Sequence, residues 1–463
     1  MDNTAMMRDE DIGRLLLKFS LPAIAGMLIN ALYNVVDRIF VGRGVGSLAI
    51  AATTVAFPIM IILMAVSVLI GVGATALISI RLGEQKKEEA EKIAGNATLL
   101  LVLLPLCLTV IYLLFPDPIL KTFGASPEVL PYARDFMQII MLGSAISSIS
   151  IGMNNFIRAQ GDAKTAMYTQ LIGATVNIVL NYIFIFQLGL GIKGSALATV
   201  SGQFISALWV LGYFFTGRSL VKIRLKNFRL QAPVLLSIVS IGCAPFALQL
   251  ANSVQQLIIN KTLTAYGGDL ALSAVGIIMS IVAIMLMPIL GISQGMQPLV
   301  GFNYGARQYD RVKEALKKAI IAASGISIAG YLVIQIWPSQ IASLFTKDTA
   351  LIQLTADAMQ VYLAIIFILG FQVVGPIYFQ AVGKGLKATI LGLSRQVLVF
   401  IPLLLLLPRF WGINGVWRAA PFSDAIAVMI TATFLYFEIK SLPQTEVSKQ
   451  LPAPLNEADL KQM

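Results

Sequence analysis

Long apolar runs constrain this chain more than any other feature of its sequence. Residues 59–80 and 97–115, for example, contain no charged side chain. A helix needs about 20 apolar residues to cross the hydrocarbon of a bilayer. Twelve such spans can be placed, centred near residues 30, 66, 105, 146, 177, 205, 250, 285, 327, 368, 398 and 427. Because lipid satisfies no backbone polar group, each span is expected to be helical.

The composition also excludes a soluble fold and several classes of enzyme. Only 12% of the 463 residues are charged, against about 25% in ordinary soluble domains. The chain has no histidine, and its two cysteines, Cys107 and Cys243, form no metal-binding or disulfide pattern. It contains no phosphate-binding glycine loop and no zinc-protease motif. We therefore predict neither an enzyme nor an ATP-driven pump, and we expect no cofactor.

The positions of the basic residues predict the topology. The formal net charge is +11, but the basic residues are scattered over alternate loops instead of forming one nucleic-acid-binding patch. If the N-terminus is cytoplasmic, 24 Lys and Arg fall in cytoplasmic segments and 6 on the opposite side. This asymmetry follows the positive-inside rule. We predict a monomeric multi-pass protein of the cell inner (plasma) membrane, with both termini cytoplasmic, that contacts membrane lipids and no nucleic acid.

The two halves of the chain repeat each other. A shift of about 222 residues aligns Pro22 with Pro245, Gly83 with Gly305, and the Gly-x-x-Gly segment 191–194 with its counterpart at 412–415. Each half holds six spans, and an even number of spans returns the chain to the same side, so the repeats are parallel. The predicted fold is an all-α integral membrane protein with twelve transmembrane helices in two parallel six-helix repeats.

The repeat also predicts the domain boundaries. Residues 1–216 form an N-lobe with helices 1 to 6, and residues 233–440 form a C-lobe with helices 7 to 12. Residues 217–232 form a basic cytoplasmic linker, interpreted as an orientation signal that contacts lipid headgroups, and residues 441–463 form a cytoplasmic tail. Residues 84–92 and 309–318 occupy equivalent places in the two halves and mix charges at helical spacing. They predict short surface helices.

One acidic residue in the first span carries the strongest functional signal. An ionised side chain within a span costs about 2.5–3.5 kcal/mol and usually marks a transport pathway. Asp37 shares one helical face with Asn30 and Asn34, and such a polar face must contact protein or water. An ion pair with the adjacent Arg38 is the alternative, but neighbouring residues point about 100° apart on a helix.

Two further spans supply neutral oxygen atoms. Asn177 and Asn181 form an i, i+4 pair in the fifth span, and Thr199 adds a hydroxyl from the sixth. Combined with Asp37, these groups suit a hard cation such as sodium and equally a shared proton. If the bound ion is sodium, Asp37, Asn177 and Asn181 are its expected ligands. The alternative interpretation is that the two amides only pack helices together.

The second half offers one comparable acid, Asp424 in the twelfth span. Arg395 lies in the middle of the eleventh span, and a structural bridge between it and Asp424 is a hypothesis that the sequence alone does not decide. Such a pair would neutralise both charges within the membrane.

The order of several motifs resembles a known family. They are Asn34-x-x-Asp37, residues 158–162 with the sequence Arg-Ala-Gln-Gly-Asp, Asn177-x-x-x-Asn181, and Gly191-x-x-Gly194 followed by Thr199. Over residues 10–440 the chain resembles the multidrug and toxic compound extrusion (MATE) transporters, and within them the MepA-like branch. The resemblance implies a two-lobe exporter whose V-shaped cavity alternates between the two sides, exchanging cationic or amphipathic small molecules for protons or sodium. It also implies that Asp37, Asn177, Asn181 and Thr199 form the cation-coupling site.

The chain departs from some members of this family. Certain relatives carry an acid at the position of Asn181, and others carry a glutamate in the seventh helix, where this chain has Gln255 and Gln256. A second cation site in the C-lobe is therefore not expected. The residues expected to line the substrate cavity are Asn30, Asn34, Asn154, Gln256 and Asp424. The alternative function is a lipid-linked oligosaccharide flippase of the same superfamily, which would need a strongly cationic cavity.

Overall fold

The structure, a computed structural model, describes residues 3–217 and 219–443. Arg218 of the predicted linker and residues 444–463 of the predicted tail lie outside the described residues. The helices before the linker are α1 (Asn3–Asp9), α2 (Ile12–Gly44), α3 (Ser47–Gly83), α4 (Lys87–Leu114), α5 (Pro116–Thr122), α6 (Leu130–Leu142), α7 (Ser144–Ala159), α8 (Ala163–Asn181) and α9 (Gly191–Phe215).

The second half follows the same order. Its helices are α10 (Ala232–Gly305), α11 (Tyr309–Ile336), α12 (Pro338–Ser343), α13 (Thr349–Tyr362), α14 (Leu369–Ala381), α15 (Gly385–Leu393), α16 (Phe400–Trp411) and α17 (Ile413–Ser441). Two π-helical segments, Tyr182–Gln187 and Ser394–Val399, and two 3₁₀ turns, Leu225–Asn227 and Ile366–Ile368, complete the set of helical elements in the described ranges.

The number of spans agrees with the sequence prediction. Within the described ranges, 10 helices are long and apolar enough to cross a membrane, or 12 if each of two bent pairs counts as one span. The bent pairs are α6 with α7, at 54°, and α13 with α14, at 52°. Helix α10 supplies two spans, Ala232–Gly268 and Leu270–Gly305, because it breaks at Gly268. Each of the twelve predicted centres falls within one of these spans.

Backbone turns recur at the repeat distance. Gly46, between α2 and α3, has a φ of 110°, and Gly268, which breaks α10 222 residues later, has a φ of 64°. Glycine suits both places because a Cβ atom is strained at such φ values. In the described part of the chain, Gln85 and Arg307 are the non-glycine residues with positive φ, and they too lie 222 residues apart. The fold of two parallel six-helix repeats is confirmed.

The two halves pack against each other at one end of the bundle. We call this end, where α2 and α10 begin and α3 ends, the N-terminal face. There Gly83 of α3 approaches the carbonyl of Phe302, and Gly305 of α10 approaches the carbonyl of Ile80. A Cβ atom on either glycine would collide with that backbone, so glycine permits the close approach. The lobes are therefore closed at the N-terminal face.

The first residues of the chain are anchored on the second half. Arg311 of α11 donates from Nη2 to the carbonyls of Glu10, at 2.7 Å, and Met7, at 3.2 Å. Its Nε donates to Oδ1 of Asn303 at 3.0 Å. Since α1 precedes the first span, this contact ties the start of the N-lobe to the C-lobe.

The linker is held on the N-lobe. Arg224 lies 3.1 Å from the carboxylate of Glu91 on α4, and this carboxylate also accepts a hydrogen bond from the backbone N–H of Lys222 at 3.3 Å. The prediction of separate short helices at 84–92 and 309–318 was wrong. From Lys87 and Tyr309 these segments continue without interruption into the spans α4 and α11, because their charged turns extend the same helix beyond the apolar stretch.

Candidate functional site

Polar side chains line one face of each of three neighbouring N-lobe helices. On α2 they are Asn30, Tyr33 and Asp37; on α8, Gln170, Asn177 and Asn181; on α9, Ser195, Thr199, Gln203 and Ser206. Steps of three, four or seven residues keep each set on one side of its helix. Hydrogen bonds between the three helices show that these faces meet inside the lobe.

The four residues predicted as a coupling site are in contact. Nδ2 of Asn181 donates to Oδ1 of Asp37 at 2.7 Å and to Oδ1 of Asn177 at 2.8 Å. Nδ2 of Asn177 in turn donates to Oγ1 of Thr199 at 3.2 Å. The hydroxyl of Ser195, which the sequence analysis missed, donates to Oδ1 of Asp37 at 3.5 Å. A continuous hydrogen-bonded chain thus runs from α2 through α8 to α9.

One oxygen atom at this site has no hydrogen-bond partner in the described part of the chain. It is Oδ1 of Asn181, a residue with an exposed fraction of 0%. Leaving a buried polar atom unpaired costs about 1–3 kcal/mol. Amide and carboxylate oxygens are the ligands that hard cations prefer, and a protonated carboxyl would donate to the same oxygen. The donor set therefore fits either a sodium ion or a proton beside Asp37.

A small polar cavity of about 40 Å³ adjoins the site on the side of the N-terminal face. Its lining residues are Asn30, Tyr33, Gln170, Gly173, Ala174, Asn177, Thr199, Gln203 and Ser206. A polar cavity of this size has room for about two or three water molecules.

The equivalent region of the C-lobe is built differently. Nε of Arg395 donates to Oδ1 of Asp424 at 2.6 Å, which confirms the predicted pairing, and Ser423 donates to the carbonyl of Arg395 at 2.7 Å. The repeat places Asn260 where the N-lobe has Asp37, and this amide accepts a hydrogen bond from Gln256 at 2.9 Å. Among the described residues, the C-lobe thus pairs its intramembrane acid with a guanidinium.

The residues predicted to line a substrate cavity belong to both lobes. Asn30 adjoins the coupling residues through the small polar cavity. The side chain of Asn34 lies outside the described residues. Asn154 is buried in α7, with an exposed fraction of 5%, while Gln256 and Asp424 belong to the C-lobe. That these five residues line one substrate cavity stays a prediction.

Sequence reasoning missed several polar residues of the N-lobe site. Ser195, Gln203 and Ser206 repeat on the face of α9 that carries Thr199, so the helical-face criterion applied to α2 would have found them. No group of three or more potential metal ligands among His, Cys, Asp and Glu occurs in the ranges that the structure covers. Any ion at this site would therefore depend on one carboxylate and on neutral oxygens.

Comparisons with known proteins agree with this architecture. The MatE family model matches residues 22–183 and again residues 245–406. The multidrug export protein MepA of Staphylococcus haemolyticus is 27% identical over 433 residues, covering 94% of this chain and 95% of that protein. MepA of Staphylococcus aureus strain N315 is 25% identical over 421 residues, covering 91% and 93%.

Solved structures give the same result. A MATE family transporter of the MOP superfamily in an outward-facing conformation has a TM-score of 0.89 at 26% identity, covering 96% of this chain and 99% of that one. A MATE structure in a bent conformation has a TM-score of 0.90 at 26% identity, covering 96% and 98%. Because the family model matches both halves and most of the chain, this protein belongs to the MatE family of multidrug export transporters.

Proposed function

We propose that this transporter is a cation-coupled multidrug efflux antiporter, which exports cationic or amphipathic small molecules in exchange for protons or sodium by alternating access. The observation that carries the proposal is the partly buried carboxylate of Asp37 beside a buried amide whose oxygen lacks a partner among the described residues. Asp37 accepts a hydrogen bond from Nδ2 of Asn181 at 2.7 Å, while Oδ1 of the same amide has no partner in the described ranges.

The Asn181 amide supplies a switch that responds to the ion. A carboxylate accepts hydrogen bonds, so it attracts Nδ2, whereas a protonated carboxyl or a bound sodium ion attracts Oδ1. Ion binding therefore turns the Asn181 amide over and changes the group that it presents to Asn177. Asn177 bonds Thr199, so the change reaches α9. Occupancy of Asp37 thereby alters the contacts among three helices.

Alternating access uses the closed N-terminal face. If the termini are cytoplasmic, as the distribution of basic residues predicts, the lobes are closed toward the cytoplasm and the substrate path opens outward. Ion binding from outside then favours the opposite arrangement, in which the lobes separate at the N-terminal face and admit a drug from the cytoplasm. Release of the ion on that side completes the exchange.

The flippase alternative has less support. A cavity for a lipid pyrophosphate needs several cations that remain available to the ligand. Arg395 is paired with Asp424, and the guanidinium of Arg418 lies 5.1 Å from the ring centre of Trp411. The side chain of Arg38 lies outside the described residues.

The test compares two acids. Asp37→Asn keeps size and hydrogen-bonding capacity but removes the titratable charge, so coupled dye efflux should fall to background while equilibrium dye binding changes little. Asp424→Asn should retain substantial efflux. The measurement is dye efflux from cells at matched expression, followed by energised vesicles in which proton and sodium gradients are imposed separately. Near-normal efflux in Asp37→Asn together with abolished efflux in Asp424→Asn would move the coupling site to the C-lobe.

A further inference from the structure

A single arginine joins the N-lobe polar site to the other lobe. Arg158, in the last turn of α7, donates from Nη1 to the side-chain oxygen of Gln294 on α10. Its Nη2 lies 2.6 Å from the side-chain amide of Gln170. Both neighbours of this amide are satisfied when its oxygen faces Arg158 and its nitrogen faces the carbonyl of Gly26. In that orientation Gln170 donates to the Gly26 carbonyl at 2.7 Å. The guanidinium therefore bridges two neutral amides, one in each lobe.

Gln170 lines the polar cavity and, of the lining residues on α8, lies nearest to the N-terminal face. It lines the cavity together with Asn177, and on α8 it lies eleven residues before Asn181, about 16 Å nearer to that face. Its amide presses against α2 at Gly26, where a Cβ atom would collide with it. Between the cavity and the N-terminal end of α8, Gln170 thus fills the space between two helices.

We propose that Gln170 is the plug of an ion passage that leads from Asp37 through the polar cavity to the N-terminal face, and that Arg158 holds this plug shut while Gln294 of the other lobe touches it. The proposal rests on the proposed function, because it describes how the coupling ion leaves its site. Its physical basis is the polar lining of the cavity, which admits water, and the contact of Arg158 with both the plug and the opposite lobe.

Because Arg158 contacts both Gln170 and Gln294, opening of the ion passage depends on separation of the two lobes. When the lobes separate at the N-terminal face, Arg158 loses Gln294 and becomes hydrated. Gln170 then loses its oriented partner and leaves Gly26, and the passage opens toward the side from which the drug enters. Both partners of Arg158 are neutral amides, which release a guanidinium more readily than a buried carboxylate would. An ion passage that opened independently would dissipate the gradient without moving substrate.

The plug is tested with a cysteine reporter inside the cavity. Ala174→Cys is introduced in a chain carrying Cys107→Ala and Cys243→Ala, and a small thiol reagent is applied to vesicles that expose the N-terminal face. Gln170→Ala and Arg158→Gln should each speed labelling about tenfold, the population shift expected from losing a hydrogen bond of about 1.4 kcal/mol. Gly26→Ala, which displaces the plug but keeps every polar group, should do the same.

Matched variants control for charge and structure. Lys164→Gln removes a positive charge from an exposed position at the same face and should leave labelling unchanged. Arg158→Lys keeps one donor and should restore much of the protection. Unchanged labelling in both Gln170→Ala and Arg158→Gln would overturn the plug. Faster labelling in Gln170→Ala alone would overturn the role of Arg158.

A flux measurement follows the same variants in purified vesicles without drug. With an imposed proton or sodium gradient, Gln170→Ala and Arg158→Gln should leak the coupling ion, and the parent chain should not. If the parent chain exports no dye, the proposed function fails, whereas thiol labelling still reports on the plug. Faster labelling without any ion leak in these variants would show a water-accessible cavity that is not an ion passage, and would overturn the proposal.

Discussion

At the scale of single residues, the two intramembrane acids differ in the groups that hold them. Asp424 faces a guanidinium at 2.6 Å, whereas Asp37 accepts hydrogen bonds from the amide of Asn181 and the hydroxyl of Ser195. A guanidinium has donors only, but an amide or a hydroxyl can turn an oxygen toward an arriving cation. The same residue type therefore forms an ion pair in one lobe and accepts hydrogen bonds from neutral groups in the other, which is the arrangement that the proposed coupling role of Asp37 needs.

This difference predicts how the Arg395–Asp424 pair contributes to stability. Asp424→Asn leaves the guanidinium of Arg395 largely buried without its carboxylate, which should cost about 3 kcal/mol. The double variant Arg395→Met/Asp424→Leu removes both charges and should recover most of that loss. Thermal unfolding of the purified variants in detergent measures both effects. A double variant no more stable than Asp424→Asn would contradict this account of the pair.

Helical spacing explains which site residues were predictable. Asp37, Asn177 and Asn181 could be predicted because each shares one face of its helix with another polar residue three or four positions away. Gln170 lies on that face of α8 as well, but its role depends on Gly26 of α2 and on Arg158 of α7. Such contacts arise from the packing of separate helices, and spacing within one helix contains no information about them.

At the scale of elements, the number of membrane spans can be predicted from the lengths of the apolar stretches. The positions where a span bends cannot. The bends of 54° between α6 and α7 and of 52° between α13 and α14 occur within stretches that contain no charged residue, so the charge pattern does not mark them. The charged segments after Gln85 and Arg307 extend α4 and α11 because a helix continues wherever its backbone hydrogen bonds remain available. Helix ends therefore depend on backbone turns more than on polarity.

The crossing of α3 and α10 gives a prediction at this scale. Gly305→Ala places a Cβ atom against the carbonyl of Ile80, and such overpacking costs about 1–3 kcal/mol. The closed population at the N-terminal face should therefore fall about tenfold. Spin labels on cysteines replacing the exposed Lys87 and Lys317, one in each lobe, should show longer distances by pulsed electron paramagnetic resonance.

The control for that variant lies in the same helix. A Cβ atom added at Gly276 would meet no neighbouring atom of the described chain within 4 Å, so Gly276→Ala should leave the distance distribution as in the parent chain. An unchanged distribution in Gly305→Ala would show that the contact with Ile80 does not set the closure of the lobes.

At the scale of the whole molecule, the fold is one six-helix plan used twice. The MatE model matches each half once, and the turns at Gly46 and Gly268 lie 222 residues apart. An even number of spans in each half places the start of both halves on the same side of the membrane. The linker between them therefore lies at the face where the chain begins.

That arrangement predicts the sidedness of the loops. Cysteines replacing the exposed residues Lys121 and Lys347 should react with an impermeant thiol reagent added outside intact cells, because their loops carry few basic residues. Cysteines at Lys87 and Lys226 should react only after the membrane is permeabilised. The measurement is labelling before and after permeabilisation. Labelling of the Lys226 position from outside would contradict two parallel repeats.

The contacts of Gly83 and Gly305 at the N-terminal face have a consequence for how this protein can evolve. Closure there depends on backbone carbonyls meeting glycines, so these two contacts need no particular neighbouring side chain. Substitutions that widen or shift the drug spectrum can therefore accumulate elsewhere in the chain while these two contacts stay intact. Selection on substrate range can then leave the glycine contacts unchanged, which lets an exporter of this kind acquire new drugs without altering the contact between its two halves.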